Sequence, residues 1–407
     1  MSDPNADAQF TVLLPMTVTD TILTSTTVPD VARADEYAGG TTYALGRIVG
    51  TTSGNFQSVY ESLQAGNVGH TQASSPTYWR LIGVAAAEYN AGTSYALNAI
   101  IGTTSGKFQY VYKSLQAANI GHTQASSPTY WELIGAVNVC YDKTVTYALD
   151  DIVAYISTNV HLLYKSTTAS NTGNALSDTT KWTLLGSTNA RAMFDDTYGS
   201  QTTNENSIVV VLAPGVLVNS LWFGNMDAAS VRVQQSVSGF DETTMLNEHG
   251  VTNWYDWFYL PIVRKSDLAS IANIPPYPSS TLTVTISNVG STAKCGIMVM
   301  GVGRVLGLTN WEILAGIVSY SGTTTDGFGN TKFLSRAKVK KLKMDVNITK
   351  GYHDEAFRIM TECTDKPLVV IGTTRWQMAQ AYCSLGTWEL CLSNKGKPMS
   401  VEVKGLT

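Results

Sequence analysis

The feature that most constrains this chain is an internal repeat. Residues 36–83 and 88–135 align at an offset of 52 positions, and about three quarters of the aligned positions are identical. A third, diverged copy spans roughly 139–186. Self-similarity at a fixed period predicts tandem copies of one small structural unit. We therefore predict three modules, at residues 35–84, 87–136 and 139–186.

Each copy has the pattern of a small β module with an aromatic core. Short β-branched runs alternate with turns rich in Gly, Ser and Asn, which is typical of hairpins. A unit of about 45 residues buries little surface, so its core must depend on aromatic rings. Because the copies have separate aromatic cores, we expect that deletion of residues 88–139 leaves a folded, soluble protein. The predicted core rings are Tyr43, Tyr60, Trp79, Tyr95, Tyr112, Trp131, Tyr147, Tyr164 and Trp182.

The composition limits the remaining choices. Charged residues make up 14% of the chain and hydrophobic residues 44%, which excludes intrinsic disorder and argues against a long helical bundle. With a net charge of −4 the chain lacks the basic face that nucleic-acid binders carry. The longest apolar run, 208–218, contains Pro214 and Gly215 and is too short to cross a bilayer. We expect no nucleic-acid partner and no membrane insertion.

The cysteines and histidines do not form a metal-binding pattern. The five cysteines have no CxxC spacing, so neither a disulfide framework nor a zinc site is expected. The five histidines show no HxH or HExxH spacing. We predict buried thiols, folding in a reducing cytoplasm, and neither metal nor cofactor.

Outside the repeats the sequence again predicts a mainly β fold. Residues 1–34 predict an extended arm that adds a strand to a neighbouring chain or packs back on its own domain. About eight strand candidates over 190–304 predict a jelly-roll-like β-sandwich, in which alternation over 281–287 marks a strand with one buried face. Residues 305–407 predict an α+β domain with a helix over 351–360.

Three local patterns carry further expectations. The aromatic-rich segment 254–263 predicts a strand whose rings pack between two sheets, and the alternative is an exposed platform that binds a ligand. Basic residues alternate with apolar ones over 336–344 and predict the solvent face of a strand. The Asp-Gly-Phe-Gly-Asn segment, 326–330, predicts a hairpin turn.

No pattern in the sequence predicts catalysis. A nucleophile elbow, a Walker loop and a dinucleotide fingerprint are all missing. Two carboxylate pairs, Asp195-Asp196 and Asp241-Glu242, are available for glycoside cleavage. Neighbouring residues of a strand point to opposite faces, so neither pair forms a dyad by itself. We predict a protein that is not an enzyme and has no catalytic residues.

The repeats carry a family resemblance. Tyr-x-x-Gly-x-x-Tyr-Ala, Val-Tyr-x-Ser-Leu-Gln-Ala, Asn-x-Gly-His and Pro-Thr-Tyr-Trp-x-Leu-Ile-Gly resemble the chitin-binding modules of carbohydrate-binding families 5 and 12. The resemblance implies that the closing Trp of each copy is structural and that a separate exposed Trp stacks on sugar. At that second position this chain has His70, His122 and Asn174. They are the candidate sugar- or partner-contacting residues, and the alternative is that the two histidines are turn residues bonded to nearby backbone.

The order of segments carries a second resemblance. Repeats behind a short arm, followed by Ala-x-Met-Phe-Asp-Asp, Trp-Tyr-Asp-Trp-Phe-Tyr-x-Pro-Ile and Thr-Asp-Gly-Phe-Gly-Asn, resemble a family of tailed-bacteriophage virion proteins. The resemblance implies a structural virion protein, tail- or neck-associated, assembled in the host cytoplasm. Its expected partners are other tail, neck or capsid proteins and further copies of itself. The alternative is an adhesin that binds host surface polysaccharide.

Overall fold

The structure, a computed structural model, is mainly β, as predicted. It describes residues 8–28, 30–53, 56–97, 99–105, 108–246, 253–259, 264–272, 274–325, 328, 331–349, 351–390 and 398–406. Within these residues no helix is long and apolar enough to span a membrane. Three short 3-10 helices are Gln124–Ser126, Ala192–Phe194 and Gln377–Ala379.

Two strands precede the repeats, and each repeat folds into a three-stranded antiparallel sheet. The sheets are β3-β4-β5, β6-β7-β8 and β10-β11-β13, and a two-stranded β9-β12 sheet completes the third repeat. The strands are β1 (Gln9–Leu13), β2 (Leu23–Thr26), β3 (Ile48–Ser53), β4 (Phe56–Ser62), β5 (Trp79–Ala86), β6 (Ile100–Ser105), β7 (Phe108–Ser114), β8 (Trp131–Asn138), β9 (Thr146–Tyr147), β10 (Ile152–Ser157), β11 (Val160–Ser166), β12 (Asn171–Thr172) and β13 (Trp182–Ser187).

A large bent sheet follows the repeats. Its strands in this part of the chain are β14 (Thr202–Leu212), β15 (Ser220–Asp227), β16 (Ser230–Gln235), β17 (Asp241–Met245), β18 (Leu268–Ala272) and β19 (Leu282–Gly301). A short helix, α1 (Trp254–Tyr259), lies between β17 and β18 in the sequence. The first half of β19 pairs with β16 and its second half with β15, while β14 pairs along both halves. Side chains from the two halves meet in one core, so the sheet folds on itself as a sandwich.

The predicted alternation in this sheet is present. Leu282, Val284 and Ile286 are buried, whereas the threonines between them are half-buried. The strand predicted over 281–287 continues to Gly301, because β14 pairs with β19 on both sides of Gly290, which has a positive φ.

A closed six-stranded barrel forms the C-terminal part. The elements of this part of the chain are β20 (Gly303–Ser319), β21 (Gly322–Thr325), β22 (Thr331–Leu334), β23 (Lys338–Ile348), α2 (His353–Cys363), β24 (Pro367–Ile371), β25 (Gln380–Glu389) and β26 (Met399–Gly405). The barrel order is β1-β20-β23-β26-β25-β24, and β24 pairs with β1 to close it. The strands β21 and β22 form a separate hairpin.

Several local predictions are confirmed in the barrel. The helix α2 has Asp354 and Glu355 in its first turn, where the helix dipole favours negative charge. The basic run lies on β23, which exposes Lys341 and Lys343 and buries Leu342 and Met344. The paired strands β21 and β22 flank residues 326–330, although of those residues only 328 is described.

The aromatic segment does not follow the prediction of a strand. Residues 254–259 form the helix α1, and 260–263 lie outside the described residues. Its described rings are exposed to solvent instead of packing between sheets. Rings four residues apart, such as those of Trp254 and Phe258, pair along the helix, an arrangement that a strand does not allow.

The N-terminal segment, residues 8–36, packs back on its own chain. The strand β1 completes the barrel and β2 pairs with the edge of β14 in the sandwich. Val28 lies in the sandwich core, and Val31 and Ala32 lie in two clusters formed with the repeats. One stretch of about 29 residues therefore contacts the barrel, the sandwich and all three repeats.

Equivalent side chains of the three repeats hold this segment. The side chain of Gln57 bonds both the N–H and the carbonyl of Ala34, and Gln109 accepts from the N–H of Arg33. In the third repeat the equivalent residue is His161, which contacts two aspartates of the segment. The repeats are thus fastened to one common element.

The modules are less independent than their separate aromatic cores predicted. A shared cluster joins the first and third repeats to the N-terminal segment; it contains Val31, Ile48, Val59, Ile82, Ala85, Cys140, Ala154 and Ile156. A second cluster joins the second repeat to Ala32 and Ala86. A small module cannot bury enough surface alone, and these contacts supply the remainder.

Candidate functional site

The rings predicted for the module cores are buried or half-buried. In each repeat a Trp is packed edge-on against a Tyr, with centroids 5.4 Å apart for Tyr43–Trp79, Tyr95–Trp131 and Tyr147–Trp182. Tyr60, Tyr112 and Tyr164 pack against these cores and are partly buried. Edge-to-face contacts stabilise such pairs beyond the area that they bury.

The core indoles also position the candidate loops. Trp79 Nε1–H donates to the carbonyl of His70 at 2.7 Å, and Trp131 donates to that of His122 at the same distance. Trp182 makes the equivalent bond to Asn174 at 3.2 Å. The backbone of each candidate residue is therefore fixed by the core of its own module.

The two candidate histidines lie against tyrosines. The ring of His70 stacks on Tyr78 with centroids 3.5 Å apart and planes 15° apart. His122 stacks on Tyr130 at 3.5 Å and 17°. All four residues are half-buried. The first two repeats thus each present one stacked imidazole–phenol pair.

The third repeat has no such pair. Asn174 donates its side-chain amide to Asn171 and accepts at its carbonyl from Tyr141. Lys181 occupies the position of Tyr78 and Tyr130. The third candidate residue is therefore a turn residue bonded to its own module.

Tyr78 and Tyr130 were missed by the sequence interpretation. The signal was present, because both tyrosines directly precede a closing Trp and the third copy has Lys181 there. Only the structure shows that they meet the histidines eight residues earlier.

No family model matches this chain, and neither does any curated protein. The contacts of the repeats, their attachment to the N-terminal segment and their aromatic pairs, are thus the physical basis on which a function can be argued.

The carboxylate pairs considered for catalysis have structural partners. Asp195 accepts from the N–H of Thr197 and from the hydroxyl of Ser200, at 2.8 and 2.9 Å. Asp241 forms an ion pair with Arg232 across two strands. Among the described residues no group of three or more His, Cys, Asp or Glu is placed to hold a metal ion.

The described cysteines are buried and free. Burial raises the thiol pKa of Cys140, Cys295 and Cys383 to about 12 and that of Cys363 to about 11. Thiols with such pKa values stay protonated near neutral pH and are poor nucleophiles. Cys391 lies outside the described residues.

The most charged contact of the repeats involves His161, whose side chain is 8% exposed. Its Nε2 lies 2.7 Å from Asp20 Oδ1, and its Nδ1 lies 2.7 Å from Asp30 Oδ2 at ion-pair distance. Arg191 also contacts Asp20, at 2.5 Å. Burial, and to a smaller extent the positive charge of Arg191, would lower the pKa of His161. The hydrogen bond and negative charge of Asp30, together with the hydrogen bond to Asp20, outweigh these effects and raise the pKa above 6.5.

Proposed function

We propose that this chain is a non-enzymatic structural protein of a tailed-phage virion, associated with the tail or neck, which displays its β modules and assists adsorption to the host. The observation that carries the proposal is the attachment of the repeats. The N-terminal segment holds them by side-chain bonds and supplies strands to both the sandwich and the barrel. The repeats are therefore held to a segment that is part of the sandwich and the barrel, as expected for part of a structural protein, and are not joined to them by a flexible linker alone as a tethered binding module would be.

The partners of the carboxylates also support a role without catalysis. Asp195 and Asp241 are used for turn and cross-strand contacts. In the proposal the single-copy sandwich and barrel contact other virion proteins and further copies of this chain. A symmetric assembly needs one defined contact surface on each subunit. A domain present in one copy offers one such surface, whereas three similar repeats offer several similar ones.

The proposal is tested on purified particles. We expect mass spectrometry and immunogold labelling to find the protein on virions, and deletion of its gene to reduce incorporation of a tail or neck component or adsorption. Virions that lack the protein but assemble and adsorb normally would contradict the proposal.

A second function, binding of host surface polysaccharide, is favoured by the stacked pairs. The histidines of these pairs, His70 and His122, occupy the sequence position at which the resembling family has its sugar-stacking Trp. Aromatic faces can pack on the apolar faces of sugar rings, and weak sites gain from multivalency on a particle, by about 10²–10⁴ in avidity.

This second function has a matched control within the chain. Full-length protein carrying Tyr78→Ala and Tyr130→Ala should lose retention on host polysaccharide. Asn174→Ala, in the repeat without a stacked pair, should leave retention unchanged. Equal loss in both proteins, or no retention of the unaltered chain, would exclude sugar binding at the stacked pairs.

A further inference from the structure

The helix α1 carries a large exposed aromatic surface, defined here as Trp254, Tyr255, Phe258 and Tyr259. These side chains are 78, 67, 68 and 73% exposed. With ~150–250 Å² for each fully buried aromatic side chain, the exposed fractions amount to on the order of 600 Å². That is the upper end of the largest apolar patch on a typical monomer, ~300–600 Å². A patch at the upper end of that range is often functional.

The rings are arranged in two pairs along the helix. Trp254 and Phe258 have centroids 6.2 Å apart with planes at 20°, and Tyr255 and Tyr259 are 5.1 Å apart at 32°. Each pair restrains its members before any partner binds. Rigid aromatic side chains lose little conformational entropy on association.

We propose that this aromatic surface is the contact through which two copies of the chain associate, ring against ring about a two-fold axis. Two such surfaces would together bury about 1,200 Å², the lower limit of standard specific interfaces. Closed two-fold dimers are also the commonest symmetric assembly. The occurrence of this dimer in a virion rests on the proposed structural function, whereas association of the purified chain does not.

Charge distinguishes this surface from another exposed apolar region, around Phe333. The segment 254–259 contains a single charged residue, Asp256. Phe333, on the β21–β22 hairpin, is 69% exposed but lies within a stretch that includes Lys332, Arg336 and Lys338. Two copies meeting through that basic stretch would repel each other, because like charges face across the contact.

The test compares two phenylalanines of equal exposure. An interface near the lower limit of buried area is expected to be weak, so the full-length chain is measured over roughly 1–100 µM. Sedimentation velocity should show a dimer whose fraction rises with protein concentration. Phe258→Ala should weaken association at least ~10-fold, as loss of a central aromatic contact does. Phe333→Ala should change it less than ~2-fold, because that ring lies outside the contact.

Either of two results would overturn the inference. One is a chain that remains monomeric at the highest concentration, which would assign the aromatic surface to another virion protein or to a glycan. The other is equal weakening by Phe258→Ala and Phe333→Ala. Neither result bears on the presence of the protein in virions, because the assay uses purified chain and the particle test does not depend on dimers.

Discussion

Replacing His161 by Gln tests how the third repeat is held to the N-terminal segment. The substitution introduces the residue that the first two repeats have at this position, Gln57 and Gln109. A glutamine can still donate an amide hydrogen bond to one carboxylate. It carries no positive charge, so the attraction to Asp20 and Asp30 is removed while the shape of the contact is largely kept.

The structure sets the size of the effect. Removing one partner of a buried ion pair costs about 3–5 kcal/mol. Here Asp20 keeps its contact with Arg191, and the side chains of Asp20 and Asp30 are 35 and 22% exposed. Solvent screening therefore reduces the loss, and we expect His161→Gln to lower the free energy of unfolding by about 2 kcal/mol where the histidine is charged.

The sign of the pH dependence follows from the raised pKa of His161. A group with a higher pKa in the folded state stabilises the fold fully below its unfolded pKa, near 6.5. That contribution is lost as the pH rises through the folded-state pKa, at about 1.4 kcal/mol for each unit of difference. The difference between the unaltered chain and His161→Gln should therefore be largest near pH 6 and shrink toward pH 9.

Urea denaturation at pH 6, 7, 8 and 9, followed by amide hydrogen exchange in the third repeat, measures this difference. His353→Gln, at the start of α2, is the control, because it removes a histidine that lies far from the two aspartates in the chain. The difference in free energy of unfolding between His353→Gln and the unaltered chain should not show the decrease from pH 6 to pH 9 that is expected for His161→Gln. A His161→Gln difference that is constant or grows with pH would refute the argument.

Three further substitutions probe other contacts. Trp131→Ala removes a core indole that is 3% exposed; it should cost about 3–5 kcal/mol and abolish hydrogen-exchange protection in the second repeat, whereas retained protection would contradict the core role. Gly50→Ala places a Cβ 2.2 Å from the Gln57 side chain and should lower stability by about 1–3 kcal/mol in thermal unfolding. Lys340→Met leaves the buried carboxylate of Asp267 without its cation and should cost about 3–5 kcal/mol in urea denaturation.

Local patterns in the sequence predicted most of the elements. Repetition identified three modules, strict alternation identified the first half of β19, and acidic residues marked the first turn of α2. Each of these signals lies within a short window of sequence, where side-chain periodicity determines which face is buried. The core tryptophans followed from the same reasoning, because a small module depends on its largest rings.

Contacts between distant segments could not be predicted in this way. Thr27 bonds to Val209, and β1 pairs with β20 almost three hundred residues later. The alternation of polar and apolar residues in one strand does not identify the strand with which it pairs. The sequence therefore left open whether the N-terminal segment adds a strand to a neighbouring chain or packs on its own chain. The same limit hid the pairing of His70 with Tyr78, and α1 was mistaken because aromatic residues favour strands.

The differences between the repeats follow the surroundings of each copy. In the first two repeats Glu36 and Glu88 bond to Thr52 and Thr104, and these pairs are exposed.

In the third repeat the equivalent residues are Cys140 and Ile156, which are buried together in the cluster shared with the first repeat. The third repeat thus has an apolar pair, where it meets the first repeat, at the positions of the polar pair in the other two. His161 in place of Gln57 or Gln109 follows the same rule, since it alone faces two aspartates. The third repeat therefore differs from the other two where it contacts the N-terminal segment and the first repeat, whereas the first two repeats share the stacked pairs that they present.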